Sequence, residues 1–132
     1  MANYIGTARS NYFHVKDTEK FSEFCDRIDV EMISKPDGRV GFLCTQDDTG
    51  SLQRWAEDED GETIDVDLCA ELAPHLKDGE VAVMMESGYE KFRYVTGYAM
   101  AVNSKGETRQ VDLGDIYKLA KEIGNAPTPC EY

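Results

Sequence analysis

Two apolar runs in the second half of the chain constrain its fold more than anything else. Positions 81–85 (Val-Ala-Val-Met-Met) and 92–102 (Phe92 through Val102) are almost wholly apolar, the mark of strands at the centre of a sheet. The Ser87-Gly88 region between them reads as the turn of a hairpin. Within the second run, Phe92, Tyr94, Tyr98, Met100 and Val102 alternate onto one face. Val95, Gly97, Ala99 and Ala101 fall on the other, and residues this small invite close approach, most simply by a packed helix. Neither run approaches the roughly 18–20 residues of a membrane-spanning helix, and the start lacks the charged-then-apolar build of a signal peptide. A soluble, cytoplasmic protein with no membrane partner is expected.

The remaining elements follow from caps and turns. Positions 11–16 alternate as a strand with Phe13 and Val15 inward, and Asp17 is a good N-cap for a helix carrying Phe21, Phe24, Cys25 and Ile28 at i, i+3, i+4 and i+7. Lys35-Pro36-Asp37-Gly38 supplies a tight turn between strands at 30–34 and 39–45. Two further turns, Asp47-Asp48-Thr49-Gly50 and Asp58-Glu59-Asp60-Gly61, flank a segment at 51–57, and 62–66 follows as its partner strand. Asp67 caps a short helix with Leu68, Leu72 and Leu76, which Pro74 should kink or divide before Gly79 ends it. A strand at 107–111 leads to a last helix, begun by Asp112 or Asp115, carrying Ile116, Leu119, Ala120 and Ile123 and ended by Gly124. Val66-Asp67-Leu68 and Val111-Asp112-Leu113 echo each other 45 positions apart. Shared capping chemistry explains that more simply than duplication does. The expectation is a single α+β domain at 1–124, a mostly antiparallel sheet with about three helices packed on it, and a flexible tail at 125–132 holding Pro127 and Pro129.

Charge is the second strong feature. The chain has 132 residues and a formal charge of −12, yet 41% of it is hydrophobic and 10% aromatic, enough for one real core and against wholesale disorder. Between positions 46 and 67, nine acids face Arg54 alone, so 22 residues supply −8 of the −12. Asp47, Asp48, Glu57, Asp58, Glu59, Asp60, Glu62 and Asp65, with Trp55 among them, form the candidate partner-binding surface. One reading is a solvated hairpin whose charges guard a sheet edge and keep the molecule in solution. The functional reading is a negative surface for a basic protein, its carboxylates spaced along strands broadly as backbone phosphates are, a form of DNA mimicry. Trp55 serves either as anchor to the core or as an exposed hot spot. The same arithmetic disfavours direct nucleic-acid binding, since no basic stripe is present.

Catalytic and metal chemistry find little footing. With Gly61 as the sixth position of a calcium loop, Asp58 and Asp60 fall correctly, but Ala56 takes the first ligand position and Thr63 the hydrophobe's. A divalent-ion site around Asp58, Asp60, Asp65 and Asp67 remains an alternative. Cys25, Cys44, Cys69 and Cys130 show no C-x-x-C pair, and neither His14 nor His75 lies at ligand spacing from a cysteine. Cys25 and Cys44 read as small buried hydrophobes. Phosphate-binding glycine loops, nucleophile elbows and zinc-protease motifs are missing, so no enzyme and no cofactor is expected. Ala8-Arg9-Ser10-Asn11-Tyr12 gathers polar groups beside an aromatic and is a candidate recognition edge.

Ala8-Arg9-Ser10-Asn11-Tyr12-Phe13, Val15-Lys16-Asp17, Ala73-Pro74-His75-Leu76 and the strand start at 79–83 together resemble small acidic uncharacterised proteins of phages, plasmids and integrative elements. That resemblance transfers no functional residue. It implies a context in which acidic mobile-element proteins inhibit host defence or nucleic-acid-handling enzymes by imitating DNA. The leading expectation is thus a non-enzymatic acidic protein-binding domain with a basic partner. The alternative is a structural scaffold or homodimer paired through its sheet, its acids serving solubility alone.

Overall fold

The computed structural model describes residues 4–44, 55–57, 60–65, 67–91 and 93–130. It is an α+β fold built on one six-stranded antiparallel sheet. The strands are β1 (Tyr4–Ser10), β2 (Glu31–Ser34), β3 (Val40–Leu43), β6 (Val81–Glu90), β7 (Tyr94–Asn103) and β8 (Thr108–Asp112), in the order β2-β3-β1-β6-β7-β8. A separate two-stranded ladder joins β4 (Trp55–Glu57) to β5 (Thr63–Asp65). The helices are α1 (Thr18–Arg27), α2 (Leu68–Leu72) and α3 (Ile116–Ala120).

Aspartates start the first two helices as their sequence positions predict. Asp17 Oδ1 accepts from the amides of Glu19 (3.0 Å) and Lys20 (3.1 Å), and Asp67 Oδ1 from that of Ala70 (3.1 Å). In the third, the Asp112 amide donates to Asp115 Oδ2 at 2.9 Å, binding the strand end into a 3₁₀ turn that precedes α3. Phe21, Phe24, Cys25 and Ile28 all lie in the core, so the amphipathic stripe of α1 does what its spacing demands. It meets Phe13 edge-on and Phe42 obliquely, with ring centroids 5.6 and 6.4 Å from Phe21. Leu68, Leu72 and Leu76 enter the same core beside Ala82, Met84 and Val102. Pro74 divides the segment as expected: α2 stops at Leu72 and a 3₁₀ turn takes Ala73–His75.

Three sequence expectations need correction. The first strand is β1, not 11–16, where only isolated bridges form, Phe13 to Val40 and Val15 to Leu76. Asn11 explains the break: its amide N–H donates to Val83 O (3.0 Å), its Oδ1 accepts from Val83 N–H (2.8 Å) and its Nδ2 donates to Val81 O (3.1 Å). One side chain thus takes over ladder bonds that a following residue would have made. β1 itself escapes recognition because its inward residues are Ala8 and Ser10, too small to mark an apolar alternation.

The hairpin turn also falls elsewhere than Ser87-Gly88. β6 continues to Glu90, and the turn is closed by Arg93 N–H donating to Glu90 O at 3.1 Å, with Lys91 at φ 51. Ser87 and Gly88 are mid-strand, paired with Thr7 and Gly6 on one side and Gly97 and Thr96 on the other. Small residues here serve cross-strand approach instead of a turn. Finally, α3 ends at Ala120, before Gly124, although i→i+3 bonds carry the turn on through Ile123. Its apolar side chains do not pack on the sheet: Ile116, Leu119 and Ile123 remain exposed. Phe92 lies outside the described residues, as do 131–132; positions 125–130 form no regular element, and there Cys130 N–H donates to Tyr117 Oη at 2.7 Å.

Candidate docking surfaces

The acidic segment forms the hairpin its turn residues predict. Gly61 takes φ +82 in the turn, and the register sets Trp55 opposite Asp65, Ala56 opposite Ile64 and Glu57 opposite Thr63. Asp60, Glu62 and Asp67 are exposed. Asp47, Asp48, Asp58 and Glu59 lie outside the described residues. The register thus sets no two acids directly opposite each other among the described pairs. β4 and β5 form a two-stranded sheet of their own, outside the six-stranded one.

Within the candidate edge at Ala8–Tyr12, Ala8 and Ser10 are buried while Arg9 and Asn11 are exposed. Ser10 is buried; its Oγ accepts from Phe42 N–H (2.9 Å) and donates to Asn11 O (2.7 Å), tying β1 to β3. Asn11 fastens the chain to β6 as described above. Arg9 lies 5.5 Å and the Lys35 ammonium 4.9 Å from the Tyr12 ring centroid, a stack that occupies both cations on one aromatic.

Thiols and imidazole are tuned against reactivity. Burial pushes the Cys25 thiol up to about 12, helped by Asp26, and Cys44 up to about 11, helped by Glu86 and Asp29. Burial raises Cys69 as well. His75 stands 5.0 Å from Phe24 and 6.0 Å from Phe21, centroid to centroid, and burial there holds it below its usual value against the pull of Asp17 and Glu71. Among the described residues no group of three His, Cys, Asp or Glu gathers as a metal site.

A surface that the sequence did not announce covers the back of the sheet. The core lies on one side, with Ala8, Ala82, Met84 and Val102 pointing into it. The alternate positions face outward: Ile5, Met85, Tyr89, Val95 and Val111 are exposed, with Met85 at 59%, Val95 at 62% and Val111 at 63%. Register gathers them, since Ile5, Tyr89 and Val95 pair across β1, β6 and β7, and Met85 connects through Ala99 to Val111. Leu113 lies over the middle of β7, where a Cβ on Gly97 would sit 3.2 Å from its Cγ and Cδ1. On its two sides run grooves of about 440 and 990 Å³, the larger lined by Ile5, Thr7, Tyr89, Val95 and Leu113. The small face of β7 therefore receives one leucine where a whole helix was expected. Apolar residues on both faces of 81–85 and 92–102 signal two-sided burial in sequence, but here only one side is covered.

Comparison of the chain with protein-family models, curated proteins and solved structures found no match. No helix of the described residues is long and apolar enough to cross a membrane.

Proposed function

We propose that the chain is a non-enzymatic protein-binding domain that docks a basic protein through the acidic segment at 46–67. The observation that supports this reading is the concentration of charge: −8 of the −12 falls in 22 residues, and the hairpin within them is a ladder of its own outside the six-stranded sheet. Clustered like charge focuses potential, hastens encounter with a complementary patch and selects against acidic partners. A target evolved to hold phosphates would meet carboxylates along the strands and turn in place of a nucleic-acid backbone, which makes DNA mimicry the form of docking this reading favours. The likeness of the opening motifs to acidic mobile-element proteins fits a nucleic-acid-handling or host-defence enzyme as that partner.

Affinity capture from cell extract, wild type beside a variant with Glu57, Asp58, Glu59 and Asp60 all changed to Ser, tests the reading. Wild type is expected to retain basic proteins that release as salt rises, and the variant to lose them. Identical captured sets would end the proposal. A second reading, a homo-oligomeric scaffold, is favoured by a different observation, the apolar face on the back of the sheet.

A further inference from the structure

We propose that this back face is the interface of a symmetric homodimer, in which α3 of each copy lies on the β1-β6-β7 face of the other. The inference does not depend on docking by the acidic segment. Its first support is area. Ile5, Met85, Tyr89, Val95, Val111 and Leu113, with the stripe on and after α3, together leave on the order of 1,000 Å² of mostly apolar residue surface in water; a standard interface takes about 800 Å² from each partner.

Self-complementarity is the second support. The chain carries both halves of a helix-on-sheet contact and joins neither to the other. The sheet half is the larger groove beside Leu113, lined by Ile5, Tyr89 and Val95; the helix half is Ile116, Leu119 and Ile123, the last 92% exposed. α3 follows directly on the 3₁₀ turn that carries Leu113, and its Ile116 and Leu119 stay exposed. It therefore starts at the rim of the face it matches. A two-fold axis near Leu113 puts each stripe into the other copy's groove, and every contact occurs twice.

Charge supplies the third. Two copies bearing −12 each repel one another over most approaches. Yet the outward positions of β1, β6, β7 and β8 contain no Asp or Glu: they read Ile5, Thr7, Arg9, then alternate residues from Val81 to Tyr89 and from Val95 to Asn103, then Arg109 and Val111. This face opposes few acids to its copy: its outward strand positions carry none, and Glu86 and Asp112 only border the smaller groove.

Sedimentation velocity on the full chain at low and high salt reads the proposal. The expected mass is twice the 14.8 kDa of one chain, with the dimer strengthening as salt screens the repulsion. Val95→Glu in the groove and Ile123→Lys on the stripe both alter exposed positions, and each is expected to give monomers with unchanged far-ultraviolet circular dichroism. Mixing the two variants should restore a dimer, because one contact is then wild type and the other pairs Glu with Lys. A chain monomeric at both salts up to high micromolar concentration overturns the proposal, as does a dimer that either variant leaves intact. Failure of the mixture to dimerise overturns the helix-on-sheet arrangement. The four-serine variant of the acidic turn should still dimerise, so loss of basic partners and loss of the dimer are separate results.

Discussion

At Gly41 the backbone of β3 passes so close to the crossing segment that a Cβ would lie 2.5 Å from Asn11 O. Gly41→Ala must therefore push backbone from backbone, and a loss of about 1–3 kcal/mol is expected in urea unfolding, the range for overpacking. Gly38 has open space around it but φ +90, so Gly38→Ala should cost less, about 1 kcal/mol, through conformation alone. Equal losses at the two sites would contradict this separation of causes. His75 makes a pH prediction with a definite sign. Burial holds its folded value below that of the unfolded chain, so the unfolded state binds the proton more readily. Stability is whole above about pH 6.5, the ordinary histidine value, and is lost as pH falls from there through the folded value. His75→Gln should flatten that part of the stability profile; an unchanged slope between wild type and variant would refute the assignment. Thiol labelling follows the same logic of access: exposed Cys130 should react at once, while buried Cys25, raised to about 12, should wait for unfolding.

Among the elements, α1 starts on one carboxylate. Asp17→Ala removes the acceptor for two amides and is expected to cost about 1 kcal/mol, measured by urea midpoint, with Asp17→Asn largely preserving it. Elements with local chemistry of this kind were readable in sequence: the Asp caps, the Asp37-Gly38 hairpin between β2 and β3, the Pro74 break and the Gly61 turn. What sequence did not reveal was set by distant partners. β1 carries no apolar alternation because Gly6, Ala8 and Ser10 meet Gly88, Glu86 and Met84 across the ladder, and a small residue fits there only once β6 is in place. Ser87-Gly88 looked like a turn for the converse reason, since nothing local shows that Gly97 waits opposite. For the candidate sites the division is similar. Charge density at 46–67 is legible in composition, whereas the open back face needs the knowledge that α3 does not cover its own sheet.

The molecule as a whole carries a charge that its sequence concentrates in one segment. With −12 distributed so unevenly, self-repulsion opposes the compact state, and added sodium chloride should raise the urea midpoint at protein concentrations low enough to exclude association. A midpoint that stays flat or falls would mean that neighbouring bases already neutralise the acids. Strand order carries a further implication. β1 leaves the ribosome first, yet it stands third in the sheet, and its full-length neighbour is β6, with Tyr4 opposite Glu90 and Ser10 opposite Met84. Until some eighty residues more have been synthesised, that nascent strand has, among the described residues, only its short contact with β3: the Arg9–Leu43 pair, Cys44 N–H to Ala8 O and Phe42 N–H to Ser10 Oγ. A growing chain of this design keeps a bare edge in the middle of its future sheet until β6 is made.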